Sequence, residues 1–371
     1  MSDNRLVKLG ALLESKNRTI RHEAASVIGQ IPFTNVHLLP TLRKFLQNNI
    51  WDTRVSASDA LAKVLQAMSS SNSTTNEQIM MDNSCGEKLQ NINVKQIIEH
   101  YRPLLCSEGE EMNARGVKVS KQEQRTQIDQ HLNMESRIYG CTAFLQDTDI
   151  DPTLYQPPAD ISNSSDRIEL KADLEITVLD EEEEIDQNFR QLIGWIIQDI
   201  ADQKWQIRHG GFLACHKVIS YSFERLSSGW IEAISQRIIE VLALDRFVDF
   251  ATGSNSVAPV REQAAQCLCV LLCKLPLIST LTNAIIKHLR DLLQIDNEKR
   301  WQCRQTSLIV LKYYFAAIEP NENFYQLVRD VLERMNDQND EVVSAAIVAL
   351  ASLFSNSKLE DVKRRELANL V

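Results

Sequence analysis

Glycine and proline are scarce, 11 and 9 of 371 residues. Together they make up about 5% of the chain where about 12% is usual, which argues against a turn-rich β-sandwich or barrel. Long apolar runs are also missing. The longest, Cys267 to Leu275, is broken at Lys274, far short of the ~18 residues a membrane span needs. The first residues, Met1 to Lys8, have no apolar stretch of the kind that opens a secretory signal. A soluble intracellular chain is expected. Catalytic signatures are absent as well: there is no Gly-Lys-Ser/Thr of a P-loop, no Gly-x-Ser-x-Gly, no His-Glu-x-x-His and no kinase set. The seven histidines are dispersed, so neither a catalytic nor a metal constellation is expected, and no cofactor or small-molecule substrate.

Eight cysteines are present. Without a secretory signal they read as reduced thiols, mostly small buried hydrophobes. Cys267-x-Cys269-x3-Cys273 invites a zinc reading, but no Cys-x2-Cys pair or paired histidine accompanies it.

The net charge of −10 makes a general nucleic-acid binder a poor fit. The excess is local. Asp151 to Arg190 holds twelve Asp/Glu against three Lys/Arg, so this one segment carries −9. Its densest part, Asp180-Glu-Glu-Glu-Glu-Ile-Asp186, is a like-charge block that does not fold alone. It reads either as a solvated linker or as a segment that docks on a basic partner.

What is abundant is helical periodicity. Leu6, Leu9 and Leu13 share a face, as do Ile20, Ala24, Val27 and Ile28, then Leu38, Leu42, Phe45 and Leu46, then Val55, Leu61, Val64 and Leu65. From Ser69 a polar Ser/Thr/Asn tract intervenes. Helical spacing returns briefly at Ile92 to Leu105, and strong periodicity resumes at Phe189. Three parts are expected: N-terminal helical repeats over 1–68, an insertion over 69–188 with irregular stretches at 69–86 and 146–168, and further repeats over 189–371, with the array cut short at its end.

The helical parts repeat a motif. Trp51-Asp-Thr-Arg54 is echoed by Trp205-Gln-Ile-Arg208 and Trp301-Gln-Cys-Arg304. Related openings are Ile20-Arg-His-Glu-Ala24, Pro259-Val-Arg261 and Asn339-Asp-Glu-Val-Val. Successive separations of 33, 53, 43 and 39 residues, leaving out the step across the insertion, scatter around the ~40–47 residue period of HEAT-type hairpins. Each motif is expected to begin the second helix of a hairpin, behind a polar capping residue. Its arginine then bonds carbonyls or an acidic group nearby, and the hairpins stack because one alone cannot bury its apolar face. The expected fold is all-α, a HEAT/armadillo-like solenoid of roughly six repeats interrupted by a long, partly disordered acidic insertion. Trp51, Arg54, Trp205, Arg208, Arg261, Trp301 and Arg304 are read as structural repeat positions.

Longer strings carry a resemblance. Trp205-Gln-Ile-Arg-His-Gly-Gly211, Ala243-Leu-Asp-Arg-Phe-Val-Asp-Phe250 and Val257-Ala-Pro-Val-Arg-Glu262 follow in order. With the opening Arg5-Leu-Val-Lys-Leu-Gly-Ala-Leu-Leu-Glu14, they resemble the N-terminal HEAT region of the TATA-binding-protein-associated Snf-type ATPase family (modifier of transcription, or B-TFIID associated factor). Ile97-Ile98 through Leu104-Leu105-Cys-Ser-Glu-Gly109 is similar to a family segment, with Tyr101 and Pro103 departing from its pattern.

The resemblance implies a nuclear protein whose HEAT array grips TATA-binding protein through inter-helix loops. It implies DNA contact only indirectly through that partner, and no membrane. It further implies that an insertion acts as a latch over the partner's DNA-binding face, and that the ATPase stripping it from DNA lies in a part this chain lacks. A chain with these residues alone is then a fragment or a truncated relative. Two stretches have latch chemistry. Ile97, Ile98, Leu104 and Leu105 are mainly apolar, whereas Leu174, Ile176 and Leu179 are followed by Glu181, Glu182, Glu183 and Glu184. The competing reading is a general HEAT scaffold or transport adaptor, which has no need for such an insertion.

Overall fold

The helices were located in a computed structural model, which describes residues 3–70, 85–101, 104, 170, 187–246, 258–277, 279–296, 300–360 and 365. Among these residues an isolated bridge joins Leu104 to Asp245, and the named elements are all helices. Most of the stretches expected to be irregular, 69–86 and 146–168, lie outside the described residues. Ser69 and Ser70 continue a helix instead, the Ser69 hydroxyl donating to the Leu65 carbonyl at 3.1 Å.

The described residues divide into two units. The first contains α1 (Asp3–Leu12), α2 (Arg18–Ile28), α3 (Leu38–Leu46), α4 (Trp51–Ser70), α7 (Gln187–Asp199) and α8 (Trp205–Ser222). These form three hairpins, α1–α2, α3–α4 and α7–α8, whose second helices α2, α4 and α8 stack in a row. The amphipathic α3 turns Leu38, Leu39, Leu42, Phe45 and Leu46 inward. By contrast α8 is covered on nearly every side, burying Trp205, Phe212, Leu213, Val218 and Ile219 along with Gln206, Arg208 and His209. At Gly210 a Cβ would meet the Leu46 carbonyl oxygen at 1.8 Å, so only glycine allows α8 this close to the end of α3.

The second unit contains the short α5 (Glu87–Gln90) and α6 (Val94–His100), then α10 (Pro259–Lys274), α11 (Thr280–Leu293), α12 (Trp301–Ala317), α13 (Glu322–Glu333) and α14 (Asp340–Leu353). Helices α10, α12 and α14 stack as second helices, with α11 paired to α12 and α13 paired to α14. The residues of α9 (Ser228–Leu244) are shared between the units. Five first helices thus pair with five second helices among the described residues: α1–α2, α3–α4, α7–α8, α11–α12 and α13–α14.

Polar caps open α2 (Asn17), α11 (Ser279), α13 (Asn321) and α14 (Asn339), each accepting from a backbone N–H of the first turn. The expectation of a polar cap fails at α10, where Ala258 stands, and at α8 and α12. In α8 and α12 Lys204 and Arg300 occupy the N-cap positions and make no side-chain cap bond. The arginine one turn further on ties down the preceding turn instead.

Candidate partner-binding surface

In a helical array the turns between paired helices are where side chains are free to meet a partner, so what fixes those turns defines the candidate surface. The repeated arginines do this. In the first unit Arg21 sends Nη1 to the Ser15 and Lys16 carbonyls at 2.8 and 3.2 Å. Arg54 sends Nη1 to the Asn48 carbonyl at 2.8 Å. Arg208 sends Nη1 to the Asp202 and Gln203 carbonyls, both at 2.8 Å. In the second unit Arg304 Nη1 reaches the Ile295 carbonyl at 2.7 Å. A first helix ends with carbonyls that have no helical partner. A guanidinium from the following helix satisfies carbonyls of that same turn.

The same arginines connect neighbouring repeats. Arg21 pairs with Asp52 at 2.9 Å. Arg54 Nε donates to His209 Nδ1 at 3.2 Å, and its guanidinium lies 5.4 Å from the Trp51 ring and 4.9 Å from the Trp205 ring. The Trp51 and His209 rings stack at 4.2 Å. Arg261 donates to Gln305 Oε1 at 2.9 Å. Arg304 grips both Asp337 oxygens, Nε–Oδ2 at 2.7 Å and Nη2–Oδ1 at 2.9 Å. Arg54, Arg208 and Arg261 have no exposed surface and Arg304 keeps 5%. A buried guanidinium persists only when its donors are matched: those of Arg54, Arg208 and Arg304 find acceptors within the array, while Arg261 adds to its Gln305 bond the charge of Asp245, 3.9 Å from its Nε. They shape the surface from beneath.

A half-buried pair also braces the first unit. Asp199 accepts from Arg43 at 2.6 and 3.2 Å and from Gln47 at 3.1 Å. Burial pushes its carboxyl above the usual value, and the bonds from Arg43 and Gln47 only partly pull it back. The Arg43 guanidinium also covers the Trp195 ring at 5.4 Å.

Above these braces sit exposed turn residues that no motif marks: Lys16, Asn49, Gln203 and Lys204 in the first unit, and Gln338 in the second. The sequence does not single them out. A turn tip is defined only once helix ends are known, and its residue types are ordinary.

The latch candidates divide. Ile97, Ile98 and Leu104 are buried within the second unit, at 7%, 4% and 0% exposure. Their segment is pinned to it by polar contacts. Lys287 and His288 of α11 reach the Gln90 and Leu89 carbonyls at 3.0 and 2.6 Å, and Arg300 donates to the Ile98 carbonyl at 2.8 Å. Leu104 exchanges backbone bonds with Leu244 and Arg246, both at 2.8 Å. Gly86, at φ +103°, sits so close that a Cβ would meet the Leu281 nitrogen at 2.6 Å. Burial holds His288 below the ordinary histidine value despite its bond to Leu89. Leu105, Leu174, Ile176, Leu179, Glu181, Glu182, Glu183 and Glu184 lie outside the described residues.

No group of three or more potential metal ligands gathers among the described residues. No described helix is long and apolar enough to cross a membrane.

No protein-family model matches the chain. Among curated proteins it is similar to the TATA-binding protein-associated factor MOT1 of Saccharomyces cerevisiae, with 28% identity over 228 residues, 54% of this chain and 12% of that protein. The factor mot1 of Schizosaccharomyces pombe is 26% identical over 205 residues, covering 49% and 10%. TATA-binding protein-associated factor 172 of Homo sapiens is 27% identical over 177 residues, covering 43% and 9%. The chain thus spans about a tenth of the length of these relatives. Among solved structures it is similar to the Mot1 N-terminal domain in complex with TBP (TM-score 0.49, 18% identity, covering 96% of this chain and 37% of that one). A designed armadillo repeat protein matches at TM-score 0.28 and 12% identity, covering 95% of this chain and 100% of that one. Over about half of its length, therefore, this chain, helical and repetitive in its described residues, is similar to the TATA-binding protein-associated factors.

Proposed function

We propose that this chain is a HEAT-repeat module that binds TATA-binding protein and regulates transcription in the nucleus, by blocking that protein's access to DNA or helping to remove it. The observation that carries this reading is the kinship with TATA-binding protein-associated factors from yeasts and human, at 26–28% identity over 177 to 228 residues. The module contributes binding; the removal step belongs to a catalytic part outside these residues. The contacts are made by turn tips such as Lys16, Asn49, Gln203 and Lys204, held in place by the buried arginines.

We assign competition with DNA to the acidic stretch, Leu174, Ile176 and Leu179 followed by Glu181 to Glu184, rather than to Ile97 to Leu105. In support, Ile97, Ile98 and Leu104 already spend their apolar surface inside the second unit. A protein that kinks the minor groove offers basic rims around an apolar centre, and the acidic stretch supplies carboxylates beside apolar residues. A pull-down with purified TATA-binding protein, with and without a TATA duplex, tests the module. Capture that the duplex weakens is the expected result, and failure to capture free TATA-binding protein overturns the reading. In a mobility-shift competition, deleting 168–186 is expected to leave capture intact and weaken exclusion of DNA, most visibly at low salt. Equal exclusion with and without that stretch would make it a linker.

A further inference from the structure

The first helices of the first unit lie side by side. A Cβ at Gly10 of α1 would meet the Phe45 ring of α3, and Arg43 of α3 reaches Asp199 of α7. Their outward residues are cationic or neutral. Arg5, Lys8 and Lys44 are exposed and Arg190 is half-buried, with Gln187 and Gln191 exposed on the same helix. Arg5 and Lys8 stand three apart on α1 and so share a face. The acidic residues of these helices are Asp3, which opens α1, and Asp199, which Arg43 holds; α3 has none. Elsewhere in the unit Arg21 pairs with Asp52 and Lys217 with Asp59. Among the described residues no carboxylate pairs with Arg5, Lys8, Lys44 or Arg190.

The complementary charge is in the same chain. Asp180 to Asp186 holds six carboxylates in seven residues and ends one position before α7 begins at Gln187. An extended chain spans about 3.3–3.6 Å per residue, so the block reaches about 20 Å from the start of α7. Neighbouring helices stand about 8–10 Å apart, so this reach spans two helix spacings, from α7 across α3 to α1. We propose that the outward face of α1, α3 and α7 is a docking site for this chain's own acidic block, Asp180 to Asp186.

Attachment favours this occupant over a free polyanion. A segment joined to the edge of its own site is present there at roughly millimolar effective concentration, so exposed ion pairs that are weak singly act together. A nucleic-acid backbone would suit the same cations, but the adjoining block repels it. Raising the salt screens the contact. While docked, the block is withheld from any basic partner surface, whose apparent affinity for it falls with the undocked fraction. The contact is made within the free chain and does not depend on TATA-binding protein.

A fluorescent peptide of residues 174–186 is the probe, titrated into the full chain at low salt and read by anisotropy. The native chain should bind it weakly, because its own block occupies the face. The neutralised variant Glu181→Gln/Glu182→Gln/Glu183→Gln/Glu184→Gln frees the face and should bind the peptide about tenfold more tightly. Adding Lys8→Glu and Lys44→Glu should abolish that gain, whereas Lys88→Glu and Lys95→Glu, at exposed positions of the second unit, should not. Surface substitutions of this kind leave the fold near its native stability. Carbodiimide coupling of the native chain at high dilution, mapped by mass spectrometry, should join residues 180–186 to Lys8 or Lys44. Equal peptide binding by native and neutralised chains, a gain that survives Lys8→Glu/Lys44→Glu, or coupling only to other lysines overturns the proposal. So does a neutralised chain that binds a short DNA duplex but not the peptide, since the face would then belong to a nucleic acid.

Discussion

Arg304→Ala is the most informative substitution, because the structure supplies both its cost and the reason partner binding should be spared. The Arg304 side chain is 6% exposed and that of Asp337 is 4% exposed. Three charge-assisted bonds are lost, two to the carboxylate and one to the Ile295 carbonyl. Asp337 is then left buried with Arg334 at 3.7 Å, itself 27% exposed, and the Asn339 N–H at 3.1 Å. Removing one member of a buried pair costs about 3–5 kcal/mol. The two remaining partners place this case at the lower end, about 3 kcal/mol. For a folding unit of this size each kcal/mol lowers Tm by about 2–4 °C, hence about 6–12 °C in all. Urea and thermal unfolding followed by circular dichroism measure the loss. The double variant Arg304→Leu/Asp337→Leu should lose less than Arg304→Ala alone, since it leaves no orphaned charge. Affinity for TATA-binding protein, measured where both proteins are folded, should hardly change. A cost under about 1 kcal/mol would refute the argument from buried pairing. So would a double variant worse than the single, or an affinity that collapses while stability holds.

Other outcomes follow from the same contacts. Burial raises the Asp337 carboxyl, but the Arg304 bonds, the Asn339 N–H and the charges of Arg304 and Arg334 outweigh it and hold the group below its ordinary 3.8. The stability it adds is full above that value and lost as pH falls through the lower folded value, so acid unfolding below about pH 4 should be steeper in the native chain than in Asp337→Asn. His288, held below its ordinary 6.5 by burial, becomes a liability as pH falls beneath that value. The protection factors of residues 87–100, taken relative to the intrinsic exchange rate at each pH, should fall on acidification in the native chain and much less in His288→Gln. Gly210→Ala should destabilise by about 1–3 kcal/mol or more through overpacking, because its Cβ meets the Leu46 backbone. Gly194→Ala, where a Cβ meets nothing within 4 Å, should stabilise α7 by about 0.5–1 kcal/mol; denaturant midpoints read both.

The sequence by itself determined the helical character, the hairpin period and the second-helix openings at Trp51, Trp205, Pro259 and Trp301. Each of these rests on local spacing: apolar residues at helical intervals, few breakers, and a Trp-x-x-Arg string that recurs. It also marked Arg54, Arg208, Arg261 and Arg304 as structural, since an arginine repeated at one register of a helical array has the array's own carbonyls and acids within reach. Tertiary structure alone decided which groups those arginines meet. His209, Gln305 and Asp337 lie 155, 44 and 33 residues from their partners, and no local pattern encodes such a pairing. It alone decided that Lys204 and Arg300 do without side-chain caps. It also buries Ile97, Ile98 and Leu104 within the second unit. An apolar run reads the same whether it waits for a partner or covers its own chain. The carbonyl acceptors at Leu89, Gln90 and Ile98 are identical in every residue, so only the placement of Lys287, His288 and Arg300 opposite them reveals that this segment is held down.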